Sequence, residues 1–240
     1  MSELKKLYER KYKDFVWEPF VPHPNAMSPS RLDDTFRLLQ GMSGSMLEVG
    51  SGSGAFCITM AEQFDYVSGL ELAEVRVKLA RQVLNKNFPH LKEKVRFVVG
   101  SADEPLPFED NSFDVVVACA VLEHLVDVFA AMDEFARVCK PGGCLVLTVP
   151  NVAYLKHVFG LFFGKLPLTG APVRDIAYWR EHGWDGAHLH YFTKTALREL
   201  LSNAGFEPES WTGDGKFAKL RRWSLNLVGN ITVRARRRDG

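Results

Sequence analysis

Seven consecutive residues, Glu48-Val49-Gly50-Ser51-Gly52-Ser53-Gly54, hold the most informative chemistry in the chain. They follow the apolar run Met46–Val49 and precede a helical pattern that starts at Ala55. Glycines at alternate positions let the backbone turn tightly and let a ligand approach without meeting a Cβ. A helix that opens near Gly54 offers unpaired N–H groups, which suit a carboxylate or a phosphate. Glu71 follows about twenty residues later, where a ribose-binding acid belongs. Its carboxylate can accept from both hydroxyls of an adenosine ribose, a contact worth about 1.5–3 kcal/mol. Asp103, in Ser101-Ala102-Asp103, stands after a third apolar strand and can accept from an exocyclic amine. Glu48 lies inside the first strand, where a buried carboxylate must find partners. Glycines alone leave the ligand open. Gly50-x-Gly52-x-x-Ala55 also satisfies the dinucleotide fingerprint, so a nicotinamide-dependent oxidoreductase is a rival reading.

The histidines form the second group. His124 follows Leu122-Glu123, and His182, His188 and His190 crowd a loop rich in Gly and Trp. Imidazoles titrate near neutrality and make ready bases. His188, His190 and His124 are the candidate catalytic residues for an acceptor that must lose a proton. His190 also reads as a structural tie between its loop and the main sheet. His188-x-His190 with Glu123 and His124 would compose a metal site if that loop folded inward; no metal is expected. Trp179, Trp184, Tyr178 and Tyr191 fit either a pocket for a flat, greasy acceptor or an ordinary core.

The elements that must position these groups follow from periodicity. Residues 3–14 read as a charged helix. Residues 17–30, with Pro19, Pro22, Pro24 and Pro29, read as an extended arm. Leu32, Phe36 and Leu39 recur at helical spacing. Strands are expected at Met46–Val49, Tyr66–Leu70, Val95–Val99, Phe113–Ala118 and Gly143–Val149, with helices at Ala55–Gln63, Ala73–Asn87 and Val126–Val138 between them. Alternation of this kind specifies a mostly parallel sheet with helices on both faces. Residues 151–190 break the pattern and read as a lid over the carboxyl ends of the strands, where open α/β sheets bind ligands. Thr193 then caps a helix over Lys194–Asn203, and Ile231–Arg236 alternates as a last strand. The run Tyr154–Leu166 reads either as a buried cap helix or as a surface helix that touches lipid. Basic residues crowd both termini: Lys5, Lys6, Arg10, Lys11 and Lys13 at one end, and Arg221, Arg222, Arg234 and Arg236–Arg238 at the other. If the latter shared a face with 154–168, they would favour peripheral contact with a membrane.

Bulk properties set limits. The chain has 240 residues, enough for one decorated α/β domain. Its net charge of +1 and the lack of a basic stripe across the central region argue against nucleic acid as a partner. Cys57, Cys119, Cys139 and Cys144 include no C-x-x-C pair and read as buried thiols, two in helical and two in strand patterns. No secretory signal is visible, so a cytoplasmic location is expected, with association at a membrane surface as its variant.

Taken in order, the motifs resemble those of the class I S-adenosylmethionine-dependent methyltransferases, in particular the small-molecule group that includes quinone-biosynthesis enzymes. They are Leu47–Gly54, Gly69-Leu70-Glu71, Ala102–Asp114, Leu122-Glu123-His124-Leu125, Val138–Gly143, His190-Tyr191-Phe192-Thr193 and Ala204-Gly205-Phe206. The resemblance implies a Rossmann-like, seven-stranded sheet whose last strand is antiparallel. It implies S-adenosyl-L-methionine as cofactor, contacted by Glu48, Gly50, Ser51, Gly52, Gly54, Glu71, Leu72, Ala102, Asp103 and Val121. It also implies methyl transfer to a small acceptor, aromatic or lipid-like; a non-catalytic binding subunit on the same fold is a further alternative. The division expected is an N-terminal helical arm (1–44), a cofactor-binding core (45–150), a cap (151–192) and a C-terminal helix with the last strands (193–240). Two departures from the family pattern stand out: Leu70 after Gly69, and a 151–190 segment that points to no particular acceptor class.

Overall fold

The computed structural model describes residues 3–12, 16–23, 25, 26, 28–170, 175–214 and 224–239. Seven strands form one sheet in the order β3-β2-β1-β4-β5-β7-β6. They are β1 (Ser45–Val49), β2 (Tyr66–Glu71), β3 (Val95–Val99), β4 (Phe113–Cys119), β5 (Cys139–Pro150), β6 (Phe206–Asp214) and β7 (Asn230–Arg237). β7 runs antiparallel to both of its neighbours, β5 and β6, and the pairs among β1 to β5 are parallel. The helices are α1 (Glu3–Lys11), α2 (Arg31–Leu38), α3 (Ala55–Met60), α4 (Glu74–Asn87), α5 (Val128–Val138), α6 (Leu155–Phe162), α7 (Ile176–His182) and α8 (Lys194–Asn203).

Parallel strands are covered on both faces, which is why β4 reads Val115-Val116-Val117-Ala118 with no alternation. On one face Leu47, Val116 and Leu145 pack against Met132 and Phe135 of α5 and Leu197 and Leu201 of α8. On the other, Met46, Val115 and Val146 pack against Phe56 and Met60 of α3 and Val77 and Leu84 of α4. The register pairs Val49 with Leu70 on one side and with Ala118 on the other. The strands therefore end together, and the loops after them emerge at one rim.

Several boundaries differ from the sequence expectation for local reasons. α3 stops at Met60 rather than Gln63, where the Gln63 amide donates to the Met42 carbonyl at 2.9 Å. α5 starts at Val128 because Asp127 caps it, accepting from Phe129 and Ala130 N–H at 3.0 Å each. Cys139 opens β5, so only Cys57 is helical and three cysteines lie in strands. All four are free thiols; Cys119 is partly exposed and the others are buried.

Two expectations about the periphery are corrected. The cap-helix alternative for Tyr154–Leu166 required burial, yet α6 has no buried residue, and Phe162 and Phe163 are 84% and 70% exposed. The basic C-terminus does not share its face. β7 pairs Asn230 with Pro150 and Arg236 with Cys144, which places Arg236 at the opposite rim of the sheet from the end that leads into α6. There Arg234 and Arg236 both bind Glu209, and Arg238 donates to Ser202 at 3.1 Å. Arg221, Arg222 and Lys13 lie outside the described residues. No helix among the described residues is long and apolar enough to cross a membrane.

Candidate active site

A cavity of about 490 Å³ opens at the carboxyl rim of the sheet. Every candidate cofactor residue in the glycine loop except Gly54 lines it: Glu48, Gly50, Ser51 and Gly52. Glu71, Leu72, Ala102, Asp103 and Val121 line it as well. Gly54 sits just behind, in a left-handed conformation (φ +79), where a Cβ would lie 2.4 Å from the Phe97 ring. It therefore lets α3 pack against the sheet.

The loop is held from β2. Glu71, only 5% exposed, accepts the Gly52 N–H at 2.8 Å and the Ala73 N–H at 2.9 Å, one on each carboxylate oxygen. Each oxygen keeps a further lone pair for a ligand hydroxyl. Gly52 has φ +58, and a Cβ there would meet the Arg76 guanidinium at 2.6 Å. The Ser51 hydroxyl is buried without a hydrogen-bond partner among the described residues. Glu48 is buried and accepts from the Cys57 thiol at 2.9 Å; burial pushes its carboxyl up to about 7. Asp103 is exposed at the rim, and its Oδ1 accepts the Val126 N–H at 2.7 Å. A glycine cradle, an unpartnered serine hydroxyl and a carboxylate with spare lone pairs fit the amino-acid and ribose parts of S-adenosylmethionine.

Past the glycine loop the wall carries Glu123, His124 and His188. Ala120, at the end of β4, holds φ +58, a strained conformation for a residue with a side chain, and passes the chain to Val121–His124. Glu123 has 0% exposure, and neither of its carboxylate oxygens has a hydrogen-bond partner among the described residues. Burial raises its pKa to about 7. The cap reaches this point: Leu189 and His190 N–H donate to the Glu123 carbonyl at 2.7 and 3.2 Å. His124 and His188 meet edge to face, ring centres 4.6 Å apart. Glu123, His124 and His188 bring ligand-type atoms within 4.8 Å of one another, room for one cation or for shared protons. His190 does not line the cavity and is not part of this cluster. The four-residue metal grouping is therefore not assembled, and His190 contributes its backbone to the tie between cap and sheet.

The aromatic residues of the cap go elsewhere. Trp179 packs on Trp184 at 4.6 Å, and Tyr178 stacks on His182 at 4.1 Å. Neither these nor Tyr191 lines the cavity. The aromatic lining comes instead from Tyr8 and Tyr12 of the N-terminal arm and Phe56 of α3. Tyr12 lies under the Arg76 guanidinium at 4.0 Å, and Tyr8 meets the His124 ring edge to face at 6.1 Å. Glu9, between them, accepts the Glu74 N–H at 2.6 Å at the start of α4. The one sequence signal for this arm was the i, i+4 tyrosine pair on a short helix. Arg31, Thr169, Gly170 and Asn230 complete the far side, and nothing local marked them.

Comparison with known proteins identifies the family. A family profile described as a methyltransferase domain matches residues 47–147. A demethylmenaquinone methyltransferase of Listeria monocytogenes is 31% identical over 182 residues, covering 72% of this chain and 74% of its own. A mitochondrial ubiquinone biosynthesis O-methyltransferase of Rattus norvegicus is 27% identical over 220 residues, covering 90% of this chain and 59% of its own. In fold, an S-adenosylmethionine-dependent methyltransferase of Mesorhizobium loti superposes with a TM-score of 0.64 at 19% identity, covering 88% of this chain and all of that one. The oxidoreductase and non-catalytic alternatives are not favoured: the chain belongs to the class I S-adenosylmethionine-dependent methyltransferases and resembles their quinone-biosynthesis members.

Proposed function

We propose that the chain methylates a hydroxyl group on a small lipid-like aromatic acceptor, with Glu123, His124 and His188 receiving the acceptor proton. The observation that carries this reading is Glu123: a fully buried carboxyl without a hydrogen-bond partner among the described residues, set in the cavity wall beside two imidazoles. A group poised near 7 is matched to proton transfer at neutral pH. Two of the relatives above, one named a demethylmenaquinone methyltransferase and one a ubiquinone biosynthesis O-methyltransferase, support the acceptor class.

S-adenosylmethionine, when bound, supplies an electrophilic methyl group on a sulfonium. The residues of this chain do the rest. Gly50–Gly52 and Glu48 border the amino-acid part, Glu71 the ribose, and Ala102 with Asp103 the adenine. Val121 borders the sulfonium. Glu123, His124 and His188 face the acceptor hydroxyl and hold its proton. Tyr8 and Tyr12 add an aromatic flank to the cavity, and holding donor and acceptor in line supplies much of the rate.

The lipid-like character rests on α6. Leu155, Val158, Phe159, Phe162 and Phe163 are exposed together, and residues 135–174 contain no acidic side chain while Lys156 and Lys165 flank the apolar run. Such a segment suits the interface of an anionic membrane. It begins five residues beyond Pro150, a residue of the cavity wall.

The test is methyl transfer to prenylated catechols and phenols of graded chain length. Turnover should appear with hydroxylated rings, fall in Glu123→Gln and His188→Gln while cofactor affinity holds, and withstand a metal chelator. Cofactor binding without turnover on any hydroxylated ring would remove the acceptor assignment. A chelator-sensitive rate would convert the cluster from proton to cation work.

A further inference from the structure

We propose that Asp185 and Thr169 are positioning residues that fix the tautomer of His188, leaving its Nε2 as the nitrogen with the lone pair. This rests on the reading of His188 as a group facing the acceptor.

Asp185 has 0% exposure, and its backbone is left-handed at φ +47. It is a turn residue held in a costly conformation, with its side chain turned inward. Its carboxylate accepts from the Thr169 N–H at 3.0 Å, the Thr169 hydroxyl at 2.8 Å and the Gly170 N–H at 3.2 Å, with the Tyr191 hydroxyl at 3.3 Å. Four donors around one carboxylate favour its ionised form. An ionised carboxylate only accepts, so the single proton of the Thr169 hydroxyl points at Asp185.

The same hydroxyl oxygen lies 2.8 Å from His188 Nδ1. Its proton is committed, so it can only accept there, and Nδ1 must be the protonated nitrogen. In the neutral ring the lone pair is then on Nε2. The ring plane is fixed as well: a Cβ at Gly170 would lie 2.7 Å from both Cδ2 and Nε2 of His188. Only glycine lets the ring lie flat on this loop. The neighbouring His124 obeys the same rule through a different partner. Its Nδ1 lies 3.0 Å from the Ala187 carbonyl, which cannot donate, so Nδ1–H is its protonated nitrogen too. Ala187, at φ +66, belongs to the same strained turn as Asp185. One turn of the cap thus sets the proton positions of both imidazoles beside Glu123.

A purely structural staple would also bury Asp185 and would also cost stability when removed. It would not move a tautomer. The experiment is long-range ¹⁵N–¹H correlation on ¹⁵N-histidine-labelled protein, with S-adenosylmethionine and without acceptor. Wild type should show His188 as the Nδ1–H tautomer. Thr169→Val, which keeps the shape and removes the hydroxyl, should shift it towards Nε2–H, and Thr169→Ser should restore the wild-type signature. With a hydroxylated aromatic acceptor, Thr169→Val should lose about 10- to 100-fold in kcat at unchanged KM for the cofactor, with rescue by serine. Asp185→Ala, which removes the acceptor and frees the Thr169 proton, is the second probe and should give the same spectral shift. An Nε2–H tautomer in wild type, or a Thr169→Val spectrum identical to wild type, would overturn the relay. If His188→Gln keeps full turnover while the wild-type spectrum shows Nδ1–H, the relay stands and the proton-acceptor role of His188 fails.

Discussion

The Glu71 carboxylate takes the backbone N–H of Gly52 at 2.8 Å, joining the end of the second strand to a loop 19 residues earlier. One side chain thereby shapes the glycine turn and lines the cavity beside it. Glu71→Gln should weaken S-adenosylmethionine by about ten- to a hundredfold, the range of one lost charge-assisted contact. Calorimetric titration measures it, and an affinity within about twofold of wild type would remove Glu71 from the cofactor site.

Gly52→Ala and Gly41→Ala make a matched pair. Both glycines are left-handed, at φ +58 and φ +80, but a Cβ meets Arg76 at 2.6 Å in the first and nothing within 4 Å in the second. Gly41→Ala should show only the backbone cost, about 1 kcal/mol. Gly52→Ala should cost more in urea unfolding and also lower cofactor affinity. Equal losses in the two variants would show that Arg76 gives way freely.

Glu123 yields a pH signature. Its carboxyl sits near 7 in the folded chain against an ordinary value of 4.5, so the native state holds a proton that the unfolded state releases. Stability contributed by the protonated group is complete below about pH 4.5 and is lost as pH rises through 7. Glu123→Gln is neutral throughout. Relative to wild type it should gain roughly 3 kcal/mol at pH 8 and nothing at pH 4. Denaturant unfolding at the two pH values decides; a gain that does not depend on pH would mean that Glu123 is ionised in the native state.

Phe159→Asp with Phe162→Asp should abolish flotation with phosphatidylglycerol vesicles and leave cofactor affinity intact, because α6 buries none of its residues in the fold. Retained flotation would place membrane contact elsewhere. A dimer seen by sedimentation and lost in the variant would assign this face to a second copy instead.

The legible parts of this protein were those whose determinants are contiguous. The glycine loop, Glu71 after β2 and the apolar run of β4 announce themselves because turn, rim and double-sided burial each leave a local signature. The cavity wall did not, since Tyr8, Arg31 and Asn230 reach it only through tertiary packing. The run 154–166 was ambiguous in principle: an apolar helix meant for a core and one meant for lipid have the same composition. His188 and His190 would share a side in a regular strand. Residues 188–191 form no regular strand, and only His188 lines the cavity.

The two ends of the cap are fastened side by side. Asn151 bridges Phe192, the Val152 N–H donates to the Phe192 carbonyl at 3.0 Å, and the Asn151 amide donates to the Leu225 and Val228 carbonyls at 2.9 and 3.1 Å. The intervening stretch is in effect a cassette with a clasp at its base. Because its two ends meet at one point of the sheet, the length of this stretch can change without moving the strands that carry the glycine loop.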